Sequence, residues 1–260
     1  MTIENLPDLV DVLRQRGLIP PGELAVFLVG SRARGWAHAT SDIDLVLVST
    51  ERFTDDRAME LNVPLAPGTV QTVTFHHEGR RWELKYWLDR QVDELFGKVT
   101  WAAFDNDGKV GARLTVDESL FLSRLRTCVP LGDDSWVQRR RQQLEDSAFW
   151  SFLTLQFLND ADGAAEDAVG LLAVGRTEGA VLSARQAFGF AIDAMLIGRR
   201  EHDAGVKWRP HKLQHLASLP LSFEDYWSIE TMRDYDPRQS AEWVHRVVSL
   251  CKKISMEVEI

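Results

Sequence analysis

The chain has 260 residues, 45% hydrophobic and 27% charged, a composition ordinary for folded domains and a length sufficient for one large core or two modest ones. Its formal charge of −9 is spread evenly, net −4 over residues 1–128 and −5 over 129–260, so it lacks the basic half or stripe that would advertise nucleic-acid binding. The opening residues lack the order of a leader, no apolar run reaches the ~20 residues of a membrane span, and Cys128 and Cys251 are too few for a four-cysteine zinc site or a disulfide framework, which together predict a soluble, cytoplasmic protein.

Within residues 5–16, Leu6, Leu9, Val10 and Leu13 recur at helical spacing, and Gly17 with Pro20-Pro21 ends that helix. Val26 to Val29 is apolar enough for a buried strand; Gly30-Ser31 breaks it, and Arg32-Ala33-Arg34 reads as the first turn of a short helix ending at Gly35. Backbone N–H groups at such a turn attract anions, and Gly30 lets a phosphate come close. The next strand begins Ser41-Asp-Ile-Asp-Leu-Val-Leu-Val48. Asp42 and Asp44 share one face of it, with Cα atoms roughly 6.5–7 Å apart, while Ile43 and Leu45 turn to the core. Two carboxylates so placed can hold Mg²⁺ against a triphosphate.

Residues 53–61 are predicted as a short helix and 64–68 as a loop. Residues 69–77 then alternate, Glu78-Gly79 turns the chain, and residues 80–87 alternate again, an antiparallel hairpin. Residues 90–98 read as a helix. Pro130-Leu-Gly-Asp-Asp134 marks a boundary, beyond which residues 135–158, 164–174, 177–199, 210–216 and 240–256 read as helices broken at Asp162-Gly163 and Gly175. The predicted class is α+β: a mixed sheet with helices over residues 1–129 and an all-α helical bundle over 130–260.

The run Gly30-Ser31, Arg34-Gly35 and Asp42-Ile43-Asp44, each part on the expected element, resembles the polymerase-β-type nucleotidyltransferase superfamily. That resemblance implies Mg²⁺ and a nucleoside triphosphate, with Asp42 and Asp44 binding metal and Gly30, Ser31, Arg34 and Ser41 on the nucleotide side. It also requires a third carboxylate on a later strand, which completes the metal site or accepts the proton of the attacking hydroxyl. Glu83, alone among Trp82, Leu84 and Tyr86, is the candidate for that catalytic and metal-binding role, because an acid inside an apolar strand is costly unless it faces solvent, a metal or a partner. Asp89 is the reserve.

The size and the helical second half are similar to small-molecule nucleotidyltransferases that act on aminoglycoside antibiotics. In that branch an Arg and a Lys from the helical domain reach the triphosphate, and Arg185 and Lys207 are the residues placed to match. The expected activity is therefore transfer of AMP from ATP to a hydroxyl of a small molecule, by a monomer or homodimer that binds neither nucleic acid nor membrane. Two other readings compete: a protein AMP-transferase of toxin–antitoxin type, with Arg238 and His245 as a loose ribonuclease-like pair, and a non-catalytic nucleotide-binding protein. His211 and His215, four apart, lack a third metal ligand and read as surface residues, and Arg139-Arg140-Arg141 reads as the solvated start of a helix. Trp36, Trp101 and Trp208 lie near motifs and are favoured as core or interface residues.

Overall fold

A computed structural model describes residues 9–107, 113–203, 205–216 and 220–260. The described chain divides into two compact units, Met1–Ala103 with Thr115–Ser147, and Phe104–Leu114 with Ala148–Ile260.

The first unit is built on a six-stranded mixed sheet. Its strands are β1 (Glu23–Val29), β2 (Ile43–Ser49), β3 (Met59–Asn62), β4 (Thr69–His77), β5 (Arg80–Leu88) and β6 (Val129–Pro130). The order across the sheet is β3-β4-β5-β2-β1-β6, and β2 with β5 is its parallel pair. The β4–β5 hairpin closes through Glu78 (φ 49°) and Gly79 (φ 71°). Two positive φ values in succession are what a two-residue turn needs to match the twist of its strands.

Strand alternation sorts the sheet into two faces. On one, Val26, Leu28, Ile43, Leu45, Leu47, Trp82, Leu84 and Tyr86 form a core with Leu9, Val12 and Leu13 of the first helix, α1 (Leu9–Gln15). On the other lie α3 (Asp89–Lys98), α5 (Val116–Thr127) and α6 (Ser135–Glu145); the short helix α2 (Gly30–Ala33) follows β1, and the short helix α4 (Trp101–Asp107) follows α3. Trp136 of α6 stacks on Phe27 of β1, and Phe121 of α5 packs on Trp87 of β5. This helical cover spans Phe27 and Trp87 and thins toward the start of β5, where Arg81 is exposed and Glu83 and Lys85 are half-buried.

The second unit is helical: α7 (Phe149–Ala173), α8 (Thr177–Gly198), α9 (Arg209–His215), α10 (Phe223–Glu230) and α11 (Ser240–Met256). Ala161, Ala164, Ala165 and Ala168 of α7 and Ala180, Ala184, Ala187 and Ala191 of α8 are buried in a single core, small side chains that bring helix axes close. Phe188, Tyr226 and Trp243 fill the space among α8, α10 and α11. Among the described helices α8 alone is long and apolar enough to cross a membrane, and 67% of that stretch is buried within the protein. Charged Arg185 and Asp193 interrupt it, and Asp193 is held by Arg209 through two hydrogen bonds of 2.8 and 2.6 Å.

Several elements differ from the sequence expectation. Residues 53–61 are not a helix: Phe53 is stacked on Tyr86 at 4.1 Å, and Met59–Asn62 becomes the edge strand paired with β4. Asp162-Gly163 does not break α7. An internal glycine costs about 1 kcal/mol, less than the burial of the alanines on either side returns. The expected helix over 135–158 is two, separated at residues 146–148, and α6 belongs to the first unit while α7 belongs to the second. The Arg139-Arg140-Arg141 run is not simply solvated. Arg140 is buried and pairs with Asp89 and Asp93, and Arg141 donates to the carbonyls of Leu125 and Cys128. Helices α4, α5 and α10 are additional to the expected ones, and Thr115-x-x-Glu118 and Ser222-x-x-Asp225 carry the capping patterns that start α5 and α10.

Both cysteines are buried, and burial pushes the Cys128 thiol up to about 11 and the Cys251 thiol up to about 12. The thiolate is the reactive form, so at about pH 8 neither should react with a disulfide-exchange reagent until the protein unfolds. Rapid titration of either thiol in the folded chain would contradict this packing.

Candidate active site

The predicted carboxylates gather on the helix-poor end of the sheet. Asp44 is the register partner of Val29 on β1 and of Glu83 on β5, so Gly30 follows directly on from Asp44's neighbour. Paired strands lie about 4.8 Å apart, which makes Asp44 and Glu83 side-by-side residues of one face. Asp42, two residues earlier, shares that face. Arg81 joins the groups: one Nη donates to Asp42 Oδ2 at 3.4 Å and the other to Glu83 Oε2 at 3.1 Å. The row extends to Thr74 of β4, the cross-strand partner of Glu83.

The Gly-Ser turn is fitted to Asp44. Gly30 has φ +69°, and a Cβ built there would collide with Asp44 Oδ2 and lie 3.2 Å from its Cγ. Only glycine satisfies both the backbone and the carboxylate. Gly30→Ala should therefore cost about 1–3 kcal/mol of stability and push the Asp44 carboxylate aside. A thermal melt and a turnover assay check this together. Unchanged values in both would show that Asp44 does not rest against the turn.

Arg32 of α2 locks this arrangement. Its Nε donates to the Asp42 carbonyl at 3.0 Å and its Nη2 to the Ser41 carbonyl at 2.6 Å, tying the short helix to the first residues of the aspartate strand. Burial, with Arg80 nearby, lowers its pKa from the usual guanidinium value, and the Asp44 and Asp42 charges oppose that shift. Ser41 is buried. Its hydroxyl accepts from the His38 N–H at 2.9 Å, so it shapes the loop before β2. The Ser31 carbonyl accepts from the Trp36 N–H at 2.8 Å, and the Arg34 guanidinium lies 3.8 Å from the Trp36 ring centroid.

Asp89 stands apart from that face. Asp89 heads α3 at the far end of β5 and accepts from Trp136 Nε1 at 2.9 Å and Arg140 Nη2 at 2.7 Å. Partial burial alone would raise its pKa, but those bonds outweigh it and hold the carboxyl below its ordinary range. Arg185 and Lys207 belong to the second unit, where Arg185 pairs with Glu230 at 3.7 Å and the Lys207 ammonium lies 5.3 Å from the Trp208 ring centroid. The His211 and His215 rings lie tilted against each other with centroids 4.2 Å apart.

Sequence reasoning passed over Arg81, though not its strand neighbour Lys85. Both alternate with Glu83 on the site's face, and Lys85 Nζ donates to Asp117 of α5 at 2.6 Å. The signal was available: Arg-x-Glu-x-Lys on an alternating strand places all three side chains together.

Hard carboxylate oxygens, two of them from neighbouring register positions, suit a Mg²⁺-type ion. Among the described residues, however, no three His, Cys, Asp or Glu side chains converge as a ready metal group. The donors are the right kind on the right face, and two of them are turned to Arg81.

Residues 6–111 match the nucleotidyltransferase domain family. Among solved structures, a nucleotidyltransferase-like protein from Exiguobacterium sibiricum 255-15 is similar over 95% of this chain and 73% of its own, at 10% identity and a TM-score of 0.49. No curated protein matches the chain in sequence.

Proposed function

We propose that this chain, whose residues 6–111 match the nucleotidyltransferase domain family, is an enzyme of the polymerase-β type that moves AMP from ATP onto a hydroxyl of a small molecule and releases pyrophosphate. The observation that carries the reading is the juxtaposition of Asp44 and Glu83 on paired strands, with Gly30 closed down on the Asp44 carboxylate. Asp42 and Asp44, with Glu83 beside them, would hold Mg²⁺, which when bound supplies positive charge to the triphosphate. Glu83 orients the acceptor hydroxyl and takes its proton as the oxygen attacks the α-phosphorus. The bond to the pyrophosphate oxygen breaks in line, and no covalent enzyme intermediate is needed. Gly30 and Ser31 let the phosphates approach the turn.

An aminoglycoside-like antibiotic is the acceptor to test first, because a polycation suits a chain of net charge −9. The decisive experiment incubates the protein with Mg²⁺, each of the four ribonucleoside triphosphates, and a panel of aminoglycosides, other hydroxylated small molecules and proteins. Pyrophosphate release and the mass of the acceptor are followed. The expected result is release with ATP that depends on a small hydroxylated acceptor, which gains one AMP. Label appearing only on protein would replace the small-molecule reading. No release with any nucleotide across the panel would end the proposal.

A further inference from the structure

We infer that Arg81 is a resident counter-ion of the carboxylate site, which divalent metal must displace in order to bind; this rests on the metal-binding reading of Asp42, Asp44 and Glu83 given above.

The strands force acids together. Asp44 and Glu83 are register neighbours, and like charges placed side by side across a sheet oppose its pairing. Asp42 adds a third negative charge on the same face. Arg81 is positioned to offset them, since it sits one register row before Glu83 and its two terminal nitrogens reach Asp42 and Glu83 at 3.4 and 3.1 Å. A planar guanidinium can serve two carboxylates at once in a way that a lysine ammonium cannot.

The same contacts account for the state of the donors. Asp42 and Glu83 turn their oxygens toward Arg81, and among the described residues no three acids converge on a common point. For all three to converge, the guanidinium has to leave. Little holds it. The Arg81 side chain is 46% exposed, its partners Asp42 and Glu83 are 39% and 31% exposed, and its cross-strand neighbour His76 is exposed as well. Arg32, by contrast, is buried and bound to two backbone carbonyls, so it stays with the turn. Arg32 is thus a fixed cation of the site and Arg81 an exchangeable one, set between two of the proposed metal ligands.

The consequence is measurable without catalysis. Each exposed ion pair contributes little, so removing Arg81 should tighten divalent-metal binding about threefold to tenfold in the absence of nucleotide. Mn²⁺ titrations of the full chain, followed by the electron paramagnetic resonance of free Mn²⁺, would compare wild type with Arg81→Gln, Arg81→Lys and Asp44→Asn. Arg81→Gln is expected to bind Mn²⁺ more tightly and to show a larger Mn²⁺-induced rise in Tm. Arg81→Lys should fall between wild type and Arg81→Gln, because it keeps the competing charge but not the two-carboxylate reach. Equal or weaker Mn²⁺ binding by a folded Arg81→Gln would overturn the inference while leaving the metal site in place. Asp44→Asn that binds Mn²⁺ as well as wild type would instead overturn the metal reading itself. Absence of Mn²⁺ binding in both wild type and Arg81→Gln would overturn the two together.

Discussion

Replacing Asp44 by asparagine should lower nucleotidyl transfer by at least about a hundredfold while the protein stays folded, and Asp42→Asn should do the same. The amide keeps the size and shape of the carboxyl, so the close fit between Gly30 and Asp44 is preserved and no cavity opens. The lost quantity is one negative oxygen for the metal. Neither aspartate belongs to the core that Ile43, Leu45 and Leu47 make on the opposite face, so Tm should move by no more than a surface substitution moves it. Asp42→Asn also weakens the hold on Arg81, and this makes Asp44→Asn the cleaner test. Near-normal Mg²⁺-dependent turnover in a folded Asp44→Asn protein would sink the mechanism.

Glu83→Gln is expected to reduce turnover by about 10²–10⁴-fold with nucleotide binding largely kept. Glu83 lies on the β4 side of Asp44, with Thr74 as its next neighbour, so its removal should act on the acceptor hydroxyl more than on the triphosphate. Glutamine preserves the contact surface and loses the ability to take a proton. Nucleotide affinity measured by calorimetry, beside kcat measured by pyrophosphate release, separates the two effects. A kcat within about threefold of wild type would remove Glu83 from general-base catalysis and leave it at most a metal ligand. Equal loss of nucleotide affinity and rate would assign it to the metals alone.

The amino-acid sequence by itself determined the local parts of this protein. The apolar strand before Gly30, the turn that needs φ > 0, the Asp-x-Asp strand and the hairpin closed by Glu78-Gly79 all follow from near-neighbour chemistry. Alternation alone places Asp42 with Asp44, and Glu83 on a polar face between Arg81 and Lys85. The α+β class follows from the change of hydrophobic period along the chain. Tertiary structure decided what depends on partners distant in sequence. The parallel register of β2 and β5 sets Glu83 beside Asp44 across 39 positions of sequence, and no local pattern specifies a register. The pairing of Met59–Asn62 with β4 overrode a weak helical preference, because an edge strand satisfies its backbone hydrogen bonds on a sheet already formed. Burial of the alanines in the second unit carried α7 through Gly163, where propensity alone favours a stop. Placement of α6 with the first unit came from the stacking of Trp136 on Phe27 and the ion pairs of Arg140 with Asp89 and Asp93. The roles of the arginines were the least legible of all. A guanidinium on a long side chain can reach several partners, and only packing decides that Arg32 is buried against the turn while Arg81 spans two carboxylates.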